Sequence, residues 1–428
     1  MGVCRQFLNR PCVLISQLHR PVLADKPAAA SAARWHGSDH TNLQGRCAKV
    51  QPSPETMKKK KHLYLVLDDT NNGISIHKLD LEKQLNDGGA PSGGDVLGRL
   101  PNPPVMRMES PSLGDHPTAA IVGSSIVGFG SGSPDLKIFD LRGGATVAFD
   151  TKTAALISLR DLPRELCDAG CIHLAVAVGK KLYVIENECS GLEYCDDVRP
   201  EKVLEGRCLW CHDPLLLPFF PEGITGHAVH PGGRAFFISV HCCYYRDEDH
   251  RYRGTFSFHT QTGRWTRHGD WKLPFGGQAH YDSELGAWIG LHINYKLYGN
   301  YHYDGYLCSC AVPSLDNNDD DEPAPEWKLI GKEKLFLEED PERHVEVKLV
   351  QMGGQGRFCL VEIRARDKVD IEEYQHLGDG DKCVLRLTTF RVKHGDGNRE
   401  LVITDRRSAG SYKLSRYVEM FNTQASWM

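Results

Sequence analysis

From His62 onward the chain alternates short apolar runs with clusters of Gly, Pro, Asn and Asp. No segment sustains an i, i+3, i+4, i+7 apolar pattern, so many short strands joined by turns are predicted. Strands are expected at His62–Leu67, Ile121–Phe129, Leu174–Val178, Leu182–Ile185, Ala235–Val240 and Val384–Phe390. Leu174–Ile185 reads as a hairpin that turns at Gly179, Lys180 and Lys181.

The runs also repeat. Ala145-Thr-Val-Ala-Phe149-Asp150-Thr151-Lys152-Thr153 parallels Gly254-Thr-Phe-Ser-Phe258-His259-Thr260-Gln261-Thr262, and both go on to a Leu-Pro pair. Phe149 and Phe258 stand 109 positions apart, close to two kelch periods of about 50 residues. Gly305-Tyr306-Leu307-Cys308-Ser309-Cys310 begins 51 positions after Gly254. In each copy an alternating strand sets Val147 and Phe149, or Phe256 and Phe258, on one face. The Asp/His-Thr-x-Thr segment then turns, its polar side chains bonding backbone amides. A returning strand is expected to carry Trp265 or Leu156 between neighbouring sheets.

Sheets that cannot bury both faces alone must stack, and radial stacking leaves only short edges. The expected fold is therefore all-β, a kelch-like β-propeller of about six four-stranded blades. The blades fall near residues 62–110, 117–163, 171–220, 224–274, 277–335 and 345–410, with two packed β-sandwiches as the competing architecture. Residues 1–61 are expected to be a disordered extension or transit-like segment, 62–410 the propeller and 411–428 a C-terminal tail.

Particular strings carry a family resemblance. Phe258-His259-Thr260-Gln261-Thr262-Gly263-Arg264-Trp265, Tyr281-Asp282-Ser283-Glu284-Leu285-Gly286-Ala287-Trp288 and Asp304-Gly305-Tyr306-Leu307-Cys308-Ser309-Cys310 resemble a plant family expanded in grasses. Phe149–Thr153 and Gly356–Glu362 agree with it. This is domain-of-unknown-function family 1668, whose members resemble kelch propellers. The resemblance covers roughly residues 62 to 405 and implies no catalytic residue.

Composition narrows the function classes. A formal net charge of -5 gives no electrostatic case for nucleic acid, and no apolar run is long enough to span a bilayer. The 15 cysteines lie at scattered spacings, several within apolar runs (Cys243, Cys308, Cys310, Cys359). Buried reduced thiols, and hence an intracellular protein of the cytoplasm or nucleus, fit better than a disulfide framework. Arg5, Arg10 and Arg20 precede the first acidic residue, Asp25, and an Ala-rich stretch follows. Import into a mitochondrion or plastid is therefore the alternative.

Candidate chemistry is sparse. Cys208-Leu-Trp-Cys211-His212 has the spacing of a zinc or redox pair but lacks a second such pair, although Cys167, Cys171, Cys189 and Cys195 are conceivable partners. No cofactor or metal is expected. Gly128-Phe-Gly130-Ser-Gly132 is read as a β-turn rather than a phosphate loop, and Asp319–Glu322 as a solvated loop. His227, His230, His241 and His280 form no recognisable nucleophile–base motif. The aromatic segment from Leu291 to Gly305 stands out, with Tyr295, Tyr298, Tyr301 and Tyr303. Tyr244 and Tyr245 form a second cluster. Tyrosines give large contact area at low entropic cost, so the expected role is a non-catalytic scaffold that presents these loops to another protein. The alternatives are a propeller enzyme or metal protein using histidines or cysteines at the axis, or a propeller that binds carbohydrate or another small molecule.

Overall fold

The computed structural model describes residues 60–69, 73–87, 97–108, 117–130, 146–158, 172–186, 192–195, 210–213, 217–241, 252–295, 301–315, 323–337, 343–366, 369, 380–395 and 400–428. In chain order, strands β1 (Leu63–Asp68) and β2 (Ile74–Leu79) are followed by a seven-residue helix, α1 (Leu81–Asp87). Then come β3 (Gly98–Arg99) and β4 (Met106–Met108). Strands β5 (Pro117–Val122), β6 (Ser125–Gly130), β7 (Thr146–Asp150) and β8 (Ala155–Ser158) form one antiparallel sheet. A second is built from β9 (Ile172–Val178), β10 (Lys181–Glu186), β11 (Leu192–Cys195) and β12 (Trp210–Asp213).

The next four are β13 (Ile224–Val229), β14 (Ala235–Val240), β15 (Gly254–His259) and β16 (Arg264–Gly269). They are followed by β17 (Phe275–Asp282), β18 (Ala287–Tyr295), β19 (Tyr301–Cys310) and β20 (Trp327–Ile330). A parallel β13–β17 pairing joins these two ladders into one eight-stranded sheet. The last four-stranded ladder is β21 (His344–Gln351), β22 (Arg357–Ala365), β23 (Cys383–His394) and β24 (Leu401–Lys413), to which β3 adds in parallel. Finally β25 (Glu419–Trp427) pairs antiparallel with β1, giving the order β25-β1-β2-β4.

Because of that pairing, the segment expected as a tail closes the structure instead. The last strand of the chain completes the sheet that the first strand begins. The first strands of the five other ladders and β25 touch in an unbroken circuit: β25 against β5, β5 against β9, β9 against β13, β13 against β17, β17 against β21, and β21 against β25. The result is an all-β, β-propeller-like architecture.

Side chains on strands near the middle of the sheets explain why the apolar runs are uninterrupted. Along β1, Leu63, Leu65 and Leu67 pack with β22 and β23 residues such as Val361 and Leu385, while Tyr64 and Val66 turn to Ile126 and Phe149. Along β14, Phe236, Ile238 and Val240 meet Val176 and Tyr183, while Phe237 meets Phe275 and Trp288. Cys359, Val361 and Ile363 of β22 join the β1 cluster, but Phe358 and Leu360 join Ile289 and Leu307. Successive residues point to opposite faces. Both faces are buried, so the core is divided into layers between neighbouring sheets.

The three self-similar segments occupy equivalent places, since β7, β15 and β19 are each the third strand of their ladder. Gly254 and Gly305 hold φ of 112° and 92°, and a Cβ there would lie 2.0 and 2.3 Å from a backbone oxygen, so only glycine fits. The Asp150 turn forms as expected: its carboxylate accepts from the Lys152 N–H (3.2 Å), Thr153 Oγ1 (2.6 Å) and Ser124 Oγ (3.1 Å). Trp265 packs at right angles to Phe219 and Phe236, between two sheets.

Several local expectations give way. Leu156 is 50% exposed on the outermost strand β8, and its neighbour Ile157 is buried instead. Ile121–Phe129 is not one strand, because Gly123 (φ 60°) and Ser124 turn the chain between β5 and β6. Gly128 and Gly130 belong to β6, where Gly128 pairs with Ala119 and Val147, so Gly128–Gly130 is strand rather than turn, while Ser131 and Gly132 lie outside the described residues. Lys181 is the first residue of β10 rather than part of the turn. Helix α1 is too short to leave an apolar period, and Leu81 and Leu85 dock it on the β1 cluster.

Candidate functional site: an axial cavity

The circuit of inner strands encloses a cavity of about 610 Å³, within the usual size of small-molecule sites. Residues from β5, β9, β13, β17, β21 and β25 all line it. Its polar side chains are few: Thr225, His227, Gln278, His280, Tyr303, Lys348, Gln351, Gln424 and Ser426.

Two histidines come from the parallel β13–β17 junction, where His227 lies opposite Gln278 and His280 is two residues further along. Close approach here depends on Gly226, whose hypothetical Cβ would sit 2.3 Å from the Phe275 carbonyl oxygen. His280 Nε2 lies 2.8 Å from the Leu349 carbonyl oxygen. A carbonyl only accepts, so Nε2 carries the proton and the neutral ring leaves Nδ1 as an acceptor. Among the described residues the His227 side chain has no hydrogen-bond partner, and the residue is partly open to the cavity.

Burial, then the neighbouring His280, then the Lys348 ammonium push the His227 imidazolium down to about 3. Burial lowers His280 as well, against the opposing hydrogen bond to Leu349. Both rings are therefore neutral near pH 7. Lys348 brings the formal positive charge, with Glu346 Oε1 3.3 Å from its Nζ. Glu346 is not among the lining residues, and no lining side chain is a carboxylate.

Of the tyrosines singled out in the sequence, Tyr295, Tyr301 and Tyr303 lie on strands. The segment continues β18 and β19 as a hairpin, with Tyr295 opposite Tyr301 and Ile293 opposite Tyr303. Tyr303 lines the cavity and packs against Phe336 (6.1 Å between rings). The Tyr295 hydroxyl reaches Thr225 Oγ1 (3.1 Å) and the Leu273 carbonyl (3.2 Å), with Lys272 Nζ 4.7 Å from its ring centre. Tyr295 thus braces a cavity-lining residue. Tyr298, Tyr244 and Tyr245 lie outside the described residues, as does the side chain of Tyr301.

Of the cysteine motif, Cys211 and His212 fall on β12 and Cys195 on β11, while Cys167, Cys171, Cys189 and Cys208 lie outside the described residues. So does Asp319–Glu322. Among the described residues no three His, Cys, Asp or Glu side chains cluster as metal ligands, and no helix is long and apolar enough to cross a membrane. Cys308, Cys310, Cys359 and Cys383 are buried free thiols.

The pattern now has a relative. The model of a family of proteins of unknown function, DUF1668, matches residues 60–412. The chain belongs to the DUF1668 family. No curated protein matches it. Among solved structures, TolB from Acinetobacter baumannii is similar over 86% of the DUF1668 chain at 11% identity and a TM-score of 0.38, the match covering 66% of TolB. A putative 6-phosphogluconolactonase from Bacteroides fragilis gives 0.41 at 9% identity, over 88% of this chain and 99% of that one. The periplasmic gluconolactonase of Pseudomonas aeruginosa gives 0.38 at 13% identity, over 85% and 98%. At such identities and scores, none of the three locates a site or an activity in the DUF1668 chain.

Sequence reasoning set histidines at the axis only within the enzyme or metal-protein alternative, did not single out His227 and His280 as the pair, and passed over Lys348 and the glutamines. The available signal was a polar residue within an otherwise apolar or small-residue strand, as in ITGHAV, FGGQAH and HVEVKLVQ.

Proposed function

We propose that this DUF1668 chain is a kelch-like propeller of six four-stranded blades that binds a small polar molecule in its axial cavity and does not itself catalyse a reaction. The observation that carries this reading is His227: a neutral ring without a hydrogen-bond partner among the described residues, open to a cavity that every inner strand lines. A polar group held in a desolvated place gains most from a ligand that completes its hydrogen bonds. The expected chemistry is recognition, with imidazole, amide and hydroxyl groups acting as donors and acceptors.

A second reading, a scaffold for a protein partner, is favoured by Trp327 and Leu329, each 44% exposed on the outermost strand β20. Equilibrium dialysis of the full chain against a metabolite mixture, followed by mass spectrometry of what is retained, separates the two. Retention by the parent chain and loss in His227→Gln supports the cavity. Equal retention by both, or none by either, removes it and leaves the outer strands as the surface to test.

A further inference from the structure

The axial site also carries a sign. We propose that its ligand is a small hydroxylated anion, with a carboxylate or phosphate group seated toward Lys348 and hydroxyls toward the histidines. This rests on the cavity being the binding site and specifies what it accepts.

Three observations support the choice. Lys348 lines the cavity, whereas its countercharge Glu346 does not, and no other lining residue is an acid. The cavity wall thus presents one cation and no acid, with the countercharge held outside the lining, and a low-dielectric wall strengthens that cation's pull on an anion. Next, both rings resist a proton: burial lowers His227 and His280, and Lys348 acts further on His227. Burial disfavours charge of either sign, but the Lys348 share of the His227 shift disfavours a cationic ligand in particular. Finally, the proton on His280 Nε2 is committed to the Leu349 carbonyl. Nδ1 is left to accept from a ligand hydroxyl, while His227, Gln278 and Lys348 supply donors. A simple inorganic anion without a hydroxyl would leave that acceptor unused, and a neutral sugar would bring no charge to the cavity side of Lys348.

The test compares three probes of similar size that differ in charge: gluconate, glucose and glucosamine. Isothermal titration with the full chain should show gluconate binding at least about tenfold tighter than glucose, glucosamine weakest, and the preference shrinking as salt rises. Lys348→Met should bring gluconate to the level of glucose. Glu346→Gln should tighten gluconate, because it removes the countercharge. A merely structural role for the pair would weaken all probes alike. Glucose binding as tightly as gluconate, a preference that survives Lys348→Met, or binding of none of the three would overturn the anion proposal. The metabolite dialysis would still report separately on the cavity. If Lys348→Met fails to fold, the salt dependence of the parent chain and the Glu346→Gln result decide.

Discussion

The carboxylate of Asp282 accepts a hydrogen bond from the backbone N–H of Gly356 at 2.9 Å, across 74 positions of sequence. Asp282 is fully buried at the β17–β18 turn and also takes the N–H groups of Glu284 (3.0 Å) and Leu285 (3.3 Å) and the Gln351 amide (3.3 Å). One side chain thereby shapes its own turn and locks it to the turn between β21 and β22. Losing it strands the buried Gly356 N–H, at about 1–3 kcal/mol, and takes the acceptor from three part-buried donors besides. Asp282→Ala is expected to cost about 3 kcal/mol or more, read as a lower denaturation midpoint in guanidinium with little change in slope.

Acid should weaken the fold through His227. Its folded value, about 3, lies below the ordinary 6.5, so the unfolded chain takes up the proton first. Above pH 6.5 the ring is neutral in both states and costs nothing. Between 6.5 and 3 stability falls steadily with pH, by about 2 kcal/mol at pH 5 if the shift is fully expressed. The nearby ionisable groups are His280 and Lys348, with Glu346 behind the lysine. His227→Gln should flatten part of this slope in urea titrations at a series of pH values. A residual slope is expected because burial lowers His280, His77 and His230 in the same sense.

Thiol labelling should find part of the cysteine complement inert. Burial pushes Cys310 and Cys359 up to about 12 and Cys308 well above its usual value. The thiolate is the reacting species. Iodoacetamide on the native chain should leave the peptides carrying Cys308, Cys310, Cys359 and Cys383 unmodified, and denaturant should open them. Rapid native labelling at these four would contradict the packing described.

Closure depends on the last ten residues. Ending the chain at Val418 removes β25, bares the edge of β1 and takes Ala425 and Trp427 off the β1–β22 core. A domain's net margin is only about 5–15 kcal/mol, so the shortened chain is expected to melt at a clearly lower temperature or to aggregate. Differential scanning calorimetry of the two lengths measures this, and an unchanged melting temperature would show that β25 is not needed for closure.

Much of the architecture was legible because strands buried on both faces leave apolar runs that no surface strand would carry. The run Ala235–Val240 matches β14 residue for residue, and the Asp150 and His259 turns join the third and fourth strands of their ladders. The C-terminal strand was hidden by its polar composition: EMFNTQASW gives no clean alternation. Leu156 misled because successive residues of β8 face opposite ways, and it is Ile157 that faces the covered side. The site was hardest to read. Six strands spread from residue 119 to residue 426 each give it only a few side chains, so proximity exists only after ring closure. The tyrosines stood out in sequence because aromatic density is local, and the structure puts Tyr303 on the cavity wall with Tyr295 behind it.

The most direct measurement is a crystal structure of the full chain with whichever compound the dialysis retains. The account predicts density inside the ring of β5, β9, β13, β17, β21 and β25, within hydrogen-bonding distance of His227. Density on the outer strands or at the Tyr295–Tyr303 hairpin tip, with only water at the axis, would contradict it.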